Sequence, residues 1–183
     1  MLYLWGRPVR LTMSEQNFPE WQQLLELPLT KTTRLGHVQY FHFGRAHVTN
    51  SSGLILDVGA WTLEVSCFWQ VEEGGKITVD HQEAQIPRDT QALADPNFDP
   101  MVPGANLRDR KLQDLVRRPI EELKVWQVQA SPEGEVRIAL SRGVVLHIQP
   151  KQGVLGEELF WRLFSNVTPG QSVGVGPNGI IRT

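Results

Sequence analysis

Trp61-Thr-Leu-Glu-Val-Ser-Cys-Phe-Trp-Gln-Val71 places an apolar residue at every odd position: Trp61, Leu63, Val65, Cys67, Trp69 and Val71. Thr62, Glu64, Ser66 and Gln70 stand between them. A period of two is the pattern of a strand with one face on a core. Glu72-Glu-Gly-Gly75 then carries turn chemistry and Lys76-Ile-Thr-Val-Asp80 resumes an extended pattern, so the stretch predicts a β-hairpin. A chain with this hairpin as its clearest signal is expected to rest on antiparallel sheet.

Upstream, Val38–Phe43, Ala46–Thr49 and Leu54–Val58 read as strands, with Gly44 and Asn50-Ser-Ser-Gly53 as breaks. Before them, Asn17 as cap, Pro19 and Glu20 in the first turn, and the stripe Trp21, Leu24, Leu25 predict a helix ended by Pro28. Residues 1–12 show neither periodicity, and Met13 reads as an alternative start, so those residues are expected to be dispensable. Downstream, residues 84–105 carry Pro87, Pro96, Pro100 and Pro103 without sustained periodicity. A connection that long is functional or a linker more often than a simple join. Asn106 then caps a second helix with Asp109 in its first turn and Leu107, Leu112, Leu115 and Val116 apolar, closed before Pro119. Leu123–Val128, Val136–Leu140, Val144–Ile148 and Leu159–Phe164 read as strands, the middle two forming a second hairpin around Ser141-Arg-Gly143. The expected fold is α+β and mainly antiparallel β, with two hairpin-bearing halves and a helix preceding each. Residues 1–83 form the first half, 84–105 the proline-rich connection and 106–183 the second half, sharing one core as a loose internal repeat.

The 183 residues are 40% hydrophobic and 21% charged, which is ordinary globular usage. Eighteen Lys and Arg against 20 Asp and Glu leave a net charge of −2, which disfavours nucleic acid and anionic membrane as partners. A single cysteine, Cys67, makes no intramolecular disulfide and points to a reducing, cytoplasmic setting. The first residues lack a signal-peptide core, and no stretch approaches the ~20 apolar residues of a spanning helix. The Asn-x-Ser/Thr matches at Asn50 and Asn166 are read as chance in that setting.

Gly174-Val-Gly176-Pro-Asn-Gly179 matches the dinucleotide fingerprint in letters, but too little chain follows for the helix that fingerprint needs, so it is read as a final hairpin. His37, His42 and His47 alternate parity across Gly44, and no metal site is expected from them. Cys67 sits mid-alternation and reads as a small buried hydrophobe rather than a nucleophile. Glu157 and Glu158 are adjacent and point apart on a strand, while Asp95 and Asp99 lie in the polar connection. Arg108, Arg110, Lys111, Arg117 and Arg118 are interleaved with Asp109 and Asp114 and read as a solvated helix face. No catalytic residue, cofactor or metal is assigned.

Trp61-Thr-Leu-Glu-Val-Ser-Cys-Phe-Trp69, Gly104-Ala-Asn-Leu-Arg-Asp109 and Glu158-Leu-Phe-Trp-Arg-Leu-Phe164 resemble motifs of a family of uncharacterised bacterial proteins, a likeness spanning about Gly36 to Phe164. The second half is also similar to small two-hairpin bacterial proteins of the immunity type. The resemblance implies no activity and no site residues. The chain is accordingly read as a non-enzymatic bacterial module that binds another protein, of the immunity or inhibitor kind. The alternative is an enzyme acting on a small or nucleotide substrate, with a site assembled from distant loops. The expected partner surface joins Asp95 and Asp99 of the connection to Phe160 and Trp161, since adjacent aromatics on a strand cannot both face the core.

Overall fold

The Trp61–Val71 alternation is two strands, and each belongs to a different sheet. The computed structural model describes residues 18–89, 96–150 and 159–183. Residues 1–12, Asn17, Asp95 and the Glu157–Glu158 pair lie outside the described residues. Strand β5 (Trp61–Val65) pairs with β2 (Val38–Phe43) and β11 (Trp161–Ser165), whereas β6 (Phe68–Glu73) pairs with β7 (Lys76–Asp80) and β10 (Val144–Gln149). At Ser66 and Cys67 the chain leaves one sheet for the other, while the odd-numbered side chains on both sides of that corner stay buried in one core. A core-facing alternation can thus outlast the strand that began it, because both sheets turn an inner face to the same interior.

Around β5 the first sheet is completed by β1 (Leu29–Leu35), β12 (Ser172–Gly176) and β13 (Gly179–Arg182), in the order β1-β2-β5-β11-β12-β13. The second adds β8 (Val125–Ala130) and β9 (Val136–Leu140) in the order β7-β6-β10-β9-β8. A separate ribbon pairs β3 (Ala46–Thr49) with β4 (Ile55–Val58). All these pairings are antiparallel, as expected, and strands from early and late in the chain interleave in both sheets. The β6–β7 turn is Gly74-Gly75, both at positive φ, the backbone that a two-residue hairpin requires. The fingerprint-like glycines form the β12–β13 hairpin.

The expectation of a helix before each half is corrected. Helix α1 (Leu107–Val116) precedes the later strands, with Asn106 Oδ1 accepting from the Asp109 amide at 2.8 Å. Ahead of β1 there is only a six-residue 3₁₀ helix, Pro19–Leu24, which buries Trp21 and Leu24. Strand pairing claims the backbone that would have extended it. The Glu26 amide donates to the Val125 carbonyl at 2.8 Å, the Val125 amide to Leu27 at 3.0 Å and the Leu29 amide to Leu123 at 3.0 Å. Tertiary hydrogen bonds here override a favourable helical pattern. Among the described residues no helix is long and apolar enough to cross a membrane.

Candidate functional site: an arginine-lined cleft

The β1–β2 turn, the segment after β7, the loop ahead of α1 and the first turn of α1 meet around one cleft. Arg34 lies near the end of β1, opposite Gln39, and both point to the core side of the sheet with Val65. After β7 the chain forms a short 3₁₀ helix, His81–Gln85, with an Asp80–Glu83 capping box. Arg108, one turn before Leu112 and two before Leu115, shares their inward stripe. Together Arg34, Gly36, His37, His81, Pro100 and Arg108, with neighbouring glutamines and Met101, line a cleft of about 550 Å³.

The two arginines differ in how much of their capacity is used. Arg34 donates from Nε to Asp109 Oδ2 at 2.8 Å, from Nη1 to the Gly36 carbonyl at 3.1 Å, and from Nη2 to the Pro100 and Val102 carbonyls at 2.8 and 2.7 Å. Four of its five N–H groups are therefore engaged, and Asp109 Oδ2 also accepts from the Gly104 amide at 2.7 Å. Arg108 is 2% exposed, yet among the described residues its one side-chain hydrogen bond is a long one, from Nη1 to the His81 carbonyl at 3.5 Å. Its Nε has no hydrogen-bond partner and stands 3.7 Å from Asp109 Oδ1, an ion-pair distance too long for a hydrogen bond. The guanidinium lies 5.7 Å from the Trp69 ring centre, a cation–π contact. Burial pulls the Arg108 guanidinium below its ordinary value, Asp109 opposes that and Arg34 adds to it. Arginine is basic enough to stay charged throughout.

Arg108 corrects the reading of that cluster as a solvated face, since it is among the largest fully buried side chains of the protein. Its i, i+4, i+7 relation to Leu112 and Leu115 was the signal available. Asp99 is exposed, and its side chain accepts from the Met101 amide at 2.8 Å, shaping the loop that walls the cleft. Trp161 is corrected as a partner residue. It is wholly buried, donates its indole N–H to the Gly134 carbonyl at 2.8 Å and packs on Phe18 and Trp21, because it shares inward parity with Leu163. Phe160 is half-buried against the same core, and among the described residues the exposed large aromatic is Trp126, 58% accessible. Cys67 is buried. Among the described residues no group of three or more His, Cys, Asp or Glu is placed to hold a metal ion.

Comparison with protein-family models, curated proteins and solved structures finds no match to this chain.

Proposed function

We propose that this chain binds a small organic anion in the Arg34–Arg108 cleft. One observation carries the reading: the Arg108 guanidinium is buried on the wall of a cleft with most of its donors unused. A buried charge without full hydrogen bonding is costly, and natural structures tolerate one where a ligand completes it. The volume suits an organic molecule rather than a bare ion, and the mixture of apolar wall with a few converging polar groups is the ordinary make-up of a ligand site. This is a site assembled from distant loops. It supports small-molecule recognition, and nothing in it calls for a nucleophile or a metal.

The test is thermal unfolding with about 10 mM of small organic anions and, in parallel, their neutral amides. Anions are expected to raise the midpoint and amides to leave it unchanged, with the effect lost in Arg108→Gln. A panel in which no anion acts differently from its amide overturns the reading.

A second reading, binding of another protein in the immunity or inhibitor manner, is favoured by the β3–β4 ribbon. Leu54, Ile55 and Leu56 are 62%, 73% and 43% exposed. Neighbouring strand residues face opposite ways, so neither side of β4 is covered at this point. On this reading the chain co-purifies with the product of an adjacent reading frame and loses it on Ile55→Asp. Retention by a folded Ile55→Asp variant excludes the ribbon.

A further inference from the structure

We infer that the cleft selects a singly charged carboxylate over a phosphate, its ligand being a monocarboxylic acid with an uncharged body; this rests on the anion-binding reading above. The argument is a count of charges and donors. Arg34 and Asp109 form a buried pair with side chains 4% and 9% exposed, so their charges cancel inside the site. Among the described residues lining the cleft, Arg108 is then the cation whose charge is not already matched, and it balances one negative charge. A phosphate dianion on Arg108 would leave a second negative charge uncompensated away from water, a cost that a carboxylate avoids.

The donor geometry agrees. Phosphate sites commonly draw on clusters of backbone amides at helix starts or nests. Three of the first four amides of α1 are already used, which leaves no cluster of them: the Leu107 amide donates to the Ile86 carbonyl at 2.8 Å, the Asp109 amide to Asn106 Oδ1 at 2.8 Å and the Arg110 amide to the Asn106 carbonyl at 3.2 Å. At the His81–Gln85 turn, the Gln82 amide is taken by Asp80 Oδ1 at 2.8 Å. The charged group left for a ligand is the planar fork of Arg108, which matches the two oxygens of a carboxylate. Around it Gly36, Ala84, Pro100 and Met101 supply little charge and much apolar surface, while Gln82 and Gln85 can meet neutral polar groups. The ligand body is therefore uncharged and about the size of one or two rings. Such a carboxylate could belong to a free acid or to the C-terminus of a peptide.

The experiment is calorimetric titration at about pH 8.5, above the ordinary imidazole range, with benzoate, benzamide, phenyl phosphate and acetyl-Ala-Ala-Phe bearing a free terminus. Expected is binding of benzoate or of the peptide, at least about tenfold weaker binding of phenyl phosphate, none of benzamide, and a loss of about tenfold or more in Arg108→Gln, the usual scale for a charged hydrogen bond. The better of the two carboxylates tells a free acid from a chain terminus. Met101→Trp, which fills the cleft from a half-exposed position, is expected to weaken carboxylate binding as well, and it keeps the test decisive if Arg108→Gln does not fold. Phenyl phosphate binding as tightly as the carboxylates, still through Arg108, overturns this inference and leaves the anion site standing. Absence of Arg108-dependent binding by every probe overturns both.

Discussion

Arg34 Nε donates to Asp109 Oδ2 at 2.8 Å, tying the end of β1 to the first turn of α1 across 75 residues of sequence. The same guanidinium holds the Pro100 and Val102 carbonyls, so one side chain fixes sheet, loop and helix together. In Arg34→Met, Asp109 would be left buried without this partner, and the loop carbonyls would keep only the Asn106 side-chain amide and the Ala105 backbone amide as donors. Breaking a buried pair from one side costs about 3–5 kcal/mol. Urea unfolding is expected to show a loss in that range, and a loss under about 1 kcal/mol would mean that the loop is held by other contacts.

Trp69 is completely buried, edge-on to Phe41 at 5.2 Å and beneath Arg108, yet its indole N–H has no hydrogen-bond partner. Its worth is therefore volume and ring face rather than a polar contact. Trp69→Ala should cost about 3–5 kcal/mol, whereas Trp69→Phe, which keeps a ring and removes an unsatisfied donor, should cost less than about 1.5 kcal/mol. Equal losses in the two variants, measured by chemical denaturation, would refute that division.

How much of this was legible follows from which forces act locally. The hairpins at Gly74-Gly75 and Ser141–Gly143 and the Asn106 cap are set by neighbouring residues, and they lie where the pattern places them. The corner at Ser66-Cys67 is invisible to a period-two reading, because the alternation continues while the pairing partners change. The helical pattern at Pro19 overstates the helix because the competing acceptor, the Val125 carbonyl, lies about a hundred residues away. The cleft had no motif at all: Arg34 and Arg108 meet only through the fold. Phe160 and Trp161 do not share one inward face: Trp161 is wholly buried, while Phe160 sits just before β11, half-buried over the Gly134 turn.

His42 sits between Thr33 Oγ1 at 2.8 Å and Thr62 Oγ1 at 3.0 Å, and Asn166 donates to that second hydroxyl at 2.7 Å. The neutral ring, with one donor and one acceptor nitrogen, suits two hydroxyls that can each play either part. Burial first, and the Lys31 charge second, lower its pKa from 6.5 to about 4. The unfolded chain therefore binds the proton more readily. The contribution is complete above about pH 6.5, declines as pH falls, and is gone near pH 4. Allowing for the ring's partial access to solvent, the decline is about 1–2 kcal/mol. Urea unfolding across that window should fall less steeply in His42→Gln than in the parent, and parallel slopes would assign the acid sensitivity to other groups.

Gly134 stands at φ +96° in the turn between β8 and β9, and its carbonyl accepts the Trp161 indole N–H at 2.8 Å. Two demands meet on this residue. Its backbone conformation is one that L side chains avoid, and a Cβ here would lie 3.0 Å from Pro150 Cγ, 3.2 Å from Val175 Cγ1 and 3.3 Å from Phe160 Cδ2. These neighbours are the residue after β10, a residue of β12 and the residue before β11, so relief of the contact would have to move chain attached to both sheets. Strain of that kind costs roughly 1–3 kcal/mol, and displacement of the carbonyl would also leave the buried Trp161 N–H without its acceptor. Gly134→Ala is therefore expected to lose about 2 kcal/mol or more, with an unchanged denaturant slope and an altered near-ultraviolet signal from Trp161. A loss below about 0.5 kcal/mol with that signal intact would show that the turn relaxes freely and that the indole contact does not depend on glycine.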